Sequence, residues 1–566
     1  MKKNICLTIL LSVFMLSLKA QWTTDTLQNT LVRDSVGTSE TEPLSVTTSN
    51  GNTYVTWFES VSGNYQLRMQ LLDSAGNKLW SQEGLVVSAF PQATYFVHYD
   101  LKVDHEDNAV VAFQDYRTGG NFNVVAYMIS PIGTFLWGAS GISLADDAAE
   151  EGLSPVIGVT ASNNIIIAWN ADSSSKQWVA YQKISSFGTL AWGATPRKII
   201  DSTGVIRYSR PSVVPAGIDD FMMMYVQGTG TFGNAMRANH FDVNGNPVWP
   251  SSAQVSTKTI SSYYFPEVIS DMHGGLYVSF NTSNPVSLSL GDVYVQHVNA
   301  SGGVWSATGT EAAVSTVNHK ETRSIKFLDS RNEVWVLLKI LDGGQTNTGI
   351  SVQKFDTSGV VQLGAAAATV FPISIDYYEP FAFESTNDGM IIVHTVNSGF
   401  TAKLLKTIKI NYSGLSLWTP AVSAVSSIVS VKSRISLGSF HNDQVIAVWK
   451  DERIDEGVYA QNIFNNGSVG PLAVPNEISI DENFNLFPNP SAEFPVIQFK
   501  GDKSGEALVS ITNAFGKTIC SHPVFLDASN GQLDLSKLIK QNFSSGIYFI
   551  SISDNKMKEV KRWVKE

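Results

Sequence analysis

The pentapeptide GNKLW, Gly76-Asn77-Lys78-Leu79-Trp80, decides the fold because it recurs along the chain. The same step from Gly to Trp occurs at Gly133–Trp137, Gly188–Trp192, Gly245–Trp249 and Gly414–Trp418, with a shortened copy at Gly302–Trp305 and copies lacking Trp at Gly359 and Gly467. From Gly76 to Gly467, the eight glycines are separated by 57, 55, 57, 57, 57, 55 and 53 residues. So regular a period indicates a repeat architecture.

One repeat contains four short apolar or alternating runs separated by turn residues. In the third copy these runs are Pro155–Ile157, Ile165–Trp169, Trp178–Ile184 and Leu190–Ile200. Such runs, rich in β-branched and aromatic residues, are typical of strands. A single four-stranded sheet cannot bury its own apolar faces, whereas copies arranged around an axis cover one another. We therefore predict an all-β fold in which residues 42–475 form an eight-bladed β-propeller, with the recurring Trp packed between adjacent blades.

The N-terminus reads as a secretory signal peptide over residues 1–20. Lys2 and Lys3 precede an apolar run that begins at Ile5, and the small residue Ala20 ends the segment. Residues 21–41 form a polar N-terminal segment that could close the propeller. The last repeat is the weakest, and we expect the stretch from Thr30 to Asp34 to supply a strand to it.

Composition excludes several classes of function. The formal net charge is -11, and removal of the leader with its three lysines would make it -14, so nucleic acid is not an expected partner. No stretch after the leader is long and apolar enough to span a bilayer. Cys6 lies in the leader and Cys520 near the end, so the mature chain has no intramolecular disulfide. We expect Cys520 to behave as a small buried hydrophobe.

A different module follows the repeats. Residues 476–485 read as a linker, and residues 486–566 carry short strands that predict a small β-sandwich. The module contains, in this order, Pro488, Asn489, Pro490, Gly516, Gly546 and Tyr548. On these residues it resembles the type A C-terminal sorting domain of cargo of the bacterial type IX secretion system, in which they form the sorting motif. The resemblance implies export across both membranes, contact with the type IX machinery, and a final location that is secreted or on the outer cell surface.

Motifs of common chemistry are absent from the sequence. None of the nine histidines forms a His-Glu-x-x-His motif, and none pairs with a Cys at metal spacing. The sequence also contains neither a Gly-x-Ser-x-Gly elbow nor a phosphate-binding loop. We therefore predict no catalytic residue, no metal and no cofactor from motifs.

One set of charged residues is open to two interpretations. These residues follow the second strand of the first, second and last repeats, which are neighbours in a closed ring, and they are Glu59, Asp115, Arg117, Asp451 and Arg453. They could line one sector of a binding pocket on the rim. Alternatively, each Asp-x-Arg closes its own turn through a local ion pair.

The sequence favours two functions of different classes. The first is a non-catalytic binding or adhesion module for a glycan or a protein, because a rigid ring with variable loops suits recognition. The second is a secreted hydrolase or lyase that acts on polysaccharide. Ionisable groups from different blades that meet at the axis would favour the enzyme. A third alternative is a structural spacer in the surface layer.

Overall fold

The computed structural model describes residues 22–92, 98–145, 149–173, 176–228, 234–261, 263–283, 290–397, 401–471, 484–499, 504–513, 517–526, 531–553 and 558–566. It divides the chain into two compact units, Met1–Pro471 and Leu472–Glu566. The predicted signal peptide, most of the predicted linker and Gly516 lie outside the described residues.

The described residues of the first unit form eight four-stranded antiparallel sheets from strands β1 to β32. Strands are numbered in chain order, and β33 to β39 belong to the second unit. The innermost strands of successive sheets are β2 (Glu40–Thr47), β6 (Asp100–Val103), β10 (Glu151–Val159), β14 (Arg207–Pro215), β18 (Glu267–Ser270), β22 (His319–Leu328), β26 (Glu379–Ser385) and β30 (Lys432–Leu437). The second strands are β3 (Thr53–Val61), β7 (Ala109–Asp115), β11 (Ile165–Ser173), β15 (Phe221–Gly228), β19 (Leu276–Ser283), β23 (Glu333–Leu341), β27 (Gly389–Asn397) and β31 (Gln444–Asp451).

The outer half of each sheet is built in the same order. The third strands are β4 (Asn64–Leu72), β8 (Asn123–Ile129), β12 (Lys176–Ile184), β16 (Ala235–Phe241), β20 (Gly291–Val298), β24 (Thr348–Asp356), β28 (Lys403–Asn411) and β32 (Gly457–Phe464). The outermost strands are β5 (Leu85–Gln92), β9 (Ile142–Ala145), β13 (Arg197–Ile199), β17 (Ala253–Gln254), β21 (Thr310–Glu311), β25 (Ala368–Ser374), β29 (Val422–Ser430) and β1 (Thr30–Arg33). A short 3-10 helix, Asp329–Arg331, joins β22 to β23.

The sheets form a closed ring. Each innermost strand contacts the innermost strand of the next sheet, and β30 of the last sheet contacts β2 of the first. Apolar cores lie between neighbouring sheets, as where Phe58 of β3 meets Phe113 of β7 with ring centroids 6.5 Å apart. These contacts give each thin sheet the cover that it lacks alone. The prediction of an all-β propeller fold is confirmed.

The ring is closed by the N-terminal segment. Strand β1 pairs antiparallel with β32, and Thr30 lies opposite Ala460. Trp22 lies eight residues upstream and is almost fully buried. Its main-chain N–H donates to Ala75 O at 3.0 Å, and its indole N–H donates to Ser74 O at 2.8 Å. The chain continues from β1 to β2, so the ring is closed by the non-covalent pairing of β1 with β32 and by the hydrogen bonds of Trp22 to the first sheet.

The recurring Trp and Gly residues link each sheet to the next around the ring. The indole N–H of Trp80 donates to Pro131 O, and that of Trp137 to Ser186 O, at 2.9 and 3.1 Å. Trp192, Trp305 and Trp418 repeat this bond to the turn of the next sheet. The Gly of that turn has a positive φ, and a Cβ on Gly76 would lie 2.6 Å from the Trp22 ring. The expected packing of Trp between blades is confirmed.

The second unit contains two sheets and a short helix. One sheet has the order β33 (Phe484–Phe487), β34 (Val496–Phe499) and β37 (Gln532–Asp534). The other has the order β36 (Thr518–Leu526), β35 (Gly505–Asn513), β38 (Gly546–Ser553) and β39 (Lys558–Lys565), and α1 spans Leu535–Leu538. A shared apolar core contains Ile497, Ile511 and Trp563, so the two sheets form the predicted small sandwich. Cys520 is half-buried against this core.

The described sorting-motif residues lie close to β38 and β39. Asn489 donates to Arg562 O at 2.6 Å and accepts from Val564 N at 2.9 Å. Pro488 and Pro490 flank it in sequence. Gly546 begins β38, and Tyr548 packs its ring against Trp563 at a centroid distance of 5.5 Å. Among the described residues of the whole chain, no helix is long and apolar enough to cross a membrane.

Candidate functional site

Six of the eight innermost strands are interrupted by a bulge at one equivalent position, and they are β2, β10, β14, β22, β26 and β30. At that position four residues have a positive φ of 50° to 53°, and they are Glu42, Ser154, Arg210 and Arg434. In β22 and β26 the bulge falls at Arg323 and Phe381, and in β6 and β18 the same register, extended by two residues, reaches His98 and Phe265. A bulge redirects a side chain, and bulges are common beside functional sites. This position therefore supplies side chains from every sheet near the axis.

Several of these side chains meet. The rings of His98 and Phe265 have centroids 4.5 Å apart, although they come from the second and fifth sheets, so this contact crosses the axis. The guanidinium of Arg210 lies 4.5 Å from the Phe265 centroid. Arg434 of the last sheet pairs with Glu42 of the first at 2.9 Å. We call His98, Phe265, Arg210, Arg434 and Glu42 the axial cluster.

A network of acids and bases adjoins the axial cluster in the fifth to seventh sheets. Arg210 donates to the carbonyl of Tyr264, whose hydroxyl donates to Glu321 at 3.0 Å. Arg323 bridges Glu321 and Glu379, with N–O distances of 2.5 Å to each. The network is completed by His319, 3.3 Å from Glu321, and Lys339, 2.5 Å from Glu379.

The partners in this network fix the charge of Glu321. Burial alone would raise its pKa, but the hydrogen bond from His319 and the charges of Arg323 and Lys339 outweigh burial and lower the pKa to about 2. Glu321 is therefore ionised at neutral pH and cannot donate a proton there. Burial and the nearby Glu321 charge raise the pKa of Tyr264 to about 12.

Glu267 behaves in the opposite way. It lines a cavity of about 530 Å³ between the innermost strands of the second to fifth sheets, together with Asp100, Lys102 and Ser212. Burial by the cavity walls raises the pKa of Glu267 to about 7, and the charge of Arg323 opposes this effect only in part. Glu267 is nevertheless accessible to solvent, through the cavity that it lines. Near neutral pH its carboxyl group can therefore both hold and release a proton.

The structure places the predicted rim residues in local ion pairs. Glu59 is buried and pairs with Arg33 at 2.7 Å and with Arg68. Asp115 pairs with Arg117 at 2.8 Å, and Asp451 pairs with Arg453 at 2.7 Å. Each of these charges thus has a partner close by. A ligand role for these five residues stays a prediction.

One group of carboxylates could share a metal ion. Among the residues that the structure describes, Asp34, Glu40 and Asp455 place carboxylate oxygens within 4.8 Å of one another. Thr38 donates to Glu40 at 2.5 Å, and Tyr459 donates to Asp34 at 2.5 Å. These hydrogen bonds from the protein already stabilise two of the three carboxylates. The trio lies where β1 closes the ring.

Sequence reasoning missed the axial cluster. The signal was a second repeat, because Glu42-Pro43, Ser154-Pro155 and Arg210-Pro211 fall at the bulge of three sheets and Phe265-Pro266 directly precedes β18 of a fourth. Proline cannot donate to a ladder and is favoured at bulges. The recurring X-Pro step would therefore have marked the residue that precedes each proline.

Comparison with known families identifies the C-terminal unit. Residues 485–566 match the family described as the secretion system C-terminal sorting domain. The second unit is a sorting domain. The resemblance to type IX cargo is thereby confirmed, and the protein is exported, either secreted or held at the cell surface. The domain implies contact with the type IX machinery. No curated relative matches the chain.

Solved structures resemble this chain weakly. Polysaccharide lyase Uly1 is 8% identical, with a TM-score of 0.39, over 74% of this chain and 89% of that one. An α-L-arabinofuranosidase from Fusarium graminearum is 12% identical, with a TM-score of 0.35, over 57% of this chain and 94% of that one. A protein of unknown function from Dyadobacter fermentans is 8% identical, with a TM-score of 0.33, over 58% and 96%. None of these similarities identifies a substrate of the present chain.

Proposed function

We propose that the ring is a non-catalytic binding module that recognises a glycan at the axial cluster and is displayed outside the cell by its sorting domain. The observation that carries the proposal is Phe265, whose ring is 45% exposed at the axis between His98 and Arg210. Binding sites for small polar ligands combine an aromatic surface with a few polar groups that fix orientation. The carboxylates of the adjoining network are held in ion pairs, which suits recognition better than proton transfer.

Replacement of Phe265 by alanine is expected to weaken glycan binding at least tenfold, about 1.4 kcal/mol, because the aromatic surface is removed. A glycan array probed with residues 21–566 would identify the ligand, and titration would measure its affinity for both proteins. Phe187→Ala is the matched control, since Phe187 is 91% exposed in an outer turn and should not affect binding. Unchanged affinity in Phe265→Ala would contradict the proposal.

A polysaccharide hydrolase or lyase is the second candidate function. The observation that favours it is Glu267. Its pKa is raised to about 7 in the cavity between the innermost strands of the second to fifth sheets, and a general acid or base needs a pKa near the working pH. Degradation assays on the glycans that bind would decide between the two. If they show turnover that Glu267→Gln abolishes while binding persists, the enzyme replaces the binding module as the conclusion.

Glu267→Gln also tests the raised pKa of Glu267 in the protein without a ligand. Because the folded pKa is about 7 and the ordinary value is 4.5, the folded protein keeps a proton that the unfolded chain releases. Stability from this group is complete below pH 4.5 and is lost as pH rises through 7. We therefore expect Glu267→Gln to match the wild type at pH 4 and to exceed it by about 1 kcal/mol at pH 8.5, after allowance for solvent screening. Thermal unfolding at both pH values measures this, and an equal difference at both would refute the raised pKa.

A further inference from the structure

A second cavity lies between the third and fourth sheets, apart from the axial cluster. Its volume is about 630 Å³, within the range of small-molecule sites. Four aromatic side chains line it, and they are Tyr181, Trp192, Tyr225 and Phe241. Asn239 and Arg197 supply polar groups, and Ile200 lies at its edge.

The cavity exists because the fourth sheet departs from the repeat. Near the end of the third strand, one residue forms an isolated β-bridge with a residue just after the Gly turn. In four other sheets, the residue two positions before this bridge is a glutamine, namely Gln70, Gln182, Gln296 and Gln353. Each of these side chains donates to a carbonyl of the loop that follows the Gly turn, at 2.7 or 2.8 Å. In the fourth sheet this position is Asn239, which is shorter by one methylene group.

The shorter side chain of Asn239 leaves space between the third and fourth sheets. Gln296 and Gln353 also donate to the preceding sheet, at Val255 O and Ala312 O, and both of those residues are fully buried. Their counterpart in the third sheet is Ile200, which directly follows β13, and it is 42% exposed. Asn239 itself is 94% buried, since its exposure is 6%, yet its Oδ1 has no hydrogen-bond partner.

The unpartnered groups define the chemistry of a ligand. Asn239 Oδ1 is a buried acceptor that lacks a donor, and Arg197 Nε is a buried donor that lacks an acceptor. A buried polar atom without a partner destabilises the protein until a partner binds. The Arg197 guanidinium lies 5.5 Å from the Trp192 centroid, which places its charge beside an aromatic wall. A matching ligand has a hydroxyl donor, an anionic acceptor and an apolar face.

We propose that this cavity binds one carboxylated sugar residue, with its carboxylate on Arg197, a hydroxyl donating to Asn239 Oδ1 and its ring against the aromatic wall. Bidentate geometry makes arginine the preferred partner of a carboxylate. This site is separate from the axial cluster, so it does not depend on the function proposed there. A surface polysaccharide that contains uronic acid would engage it through one residue.

The test is calorimetric titration of residues 21–566 with D-glucuronate and, separately, with D-glucose. We expect saturable glucuronate binding with a Kd of about 1 mM, and glucose binding at least tenfold weaker. Arg197→Gln should remove that preference. Arg331→Gln, which changes an arginine of the exposed 3-10 helix, is the control and should leave both affinities unchanged. Equal affinity for the two sugars, or no binding of either, would overturn the proposal.

Asn239→Gln provides the sharper variant because it restores the glutamine found in four other sheets. The longer amide should reach its loop, close the cavity and weaken glucuronate binding at least tenfold while the thermal midpoint stays the same or rises. If this variant binds glucuronate as the wild type does, the cavity is not the site. Should it fail to fold, the comparison of Arg197→Gln with the wild type decides alone.

Discussion

Replacement of Trp22 by alanine is expected to lower the free energy of unfolding of the ring by about 3–5 kcal/mol, the usual effect of removing a buried tryptophan. Trp22 is 2% exposed and packs on Gly76 of the first sheet. Its indole also donates to Ser74 O, which accepts a second hydrogen bond from the Gln444 amide, so truncation removes one of the two donors to that carbonyl. Denaturant unfolding of the variant and the wild type measures the change.

Trp192→Ala is the matched control for this variant. Trp192 makes the same contact with the next turn, at Val243 O and Gly245, but it is only half-buried and joins sheets that the chain already connects. Its removal should therefore destabilise the ring less than the removal of Trp22. Limited proteolysis should cut Trp22→Ala within residues 22–34 before the wild type. Equal effects of the two substitutions would contradict a special role of Trp22 in closure.

The N-terminal segment holds the ring closed through more than Trp22. Asn29 donates to Val425 O at 2.8 Å and to Gln461 at 3.2 Å. Arg453 donates back to Gln28 O at 2.6 Å. These bonds hold the segment, from which the chain continues into the first sheet, against the last two sheets. The stability of the whole ring therefore depends on about a dozen N-terminal residues.

The period of the Gly turns predicted the sheets because glycine at that position follows from local geometry. The same pattern also carries a sign of the closure by Trp22. Two copies lack Trp at the expected position, and in one of them Leu363 occupies the place and lies 3.8 Å from a Cβ on Gly414. In the other, which contains Gly467, the ring that packs on Gly76 of the next sheet comes from Trp22. A missing side chain in the last copy predicts a donor elsewhere, and Trp22 is that donor.

The axial cluster was harder to predict because its members share a position and not a residue type. His98 and Phe265 contact each other across the axis, yet they are 167 positions apart by subtraction of their numbers. Local pattern cannot show which residues of a ring lie opposite one another until the number of sheets and the strand register are known. A bulge adds a further shift, because one extra residue reverses the face to which later side chains point.

Asp451→Ala is expected to destabilise the protein by about 3–5 kcal/mol, because removal of one member of a buried ion pair leaves the other charge without compensation. Asp451 and Lys432 both have fully buried side chains, 3.3 Å apart. Asp451 also accepts from Ser430, Trp449 and Arg453. Burial opposes ionisation, but the Arg453 hydrogen bond and the Lys432 charge lower the pKa of Asp451, so this stability is present at pH 7 and is lost only as pH falls below 3.8.

Asp115→Ala is the control, since Arg117 keeps hydrogen bonds to Ser140 O and to the Tyr127 hydroxyl when its carboxylate is removed. We expect its effect to be smaller than that of Asp451→Ala. The two variants also separate the two interpretations of the rim residues. Loss of stability with unchanged glycan binding by the folded protein would make Asp451 and Arg453 part of the closure, because Arg453 holds the N-terminal segment. Unchanged stability with lost binding would instead make them ligand-binding residues, since a buried pair that contributes nothing to folding must be kept for another purpose.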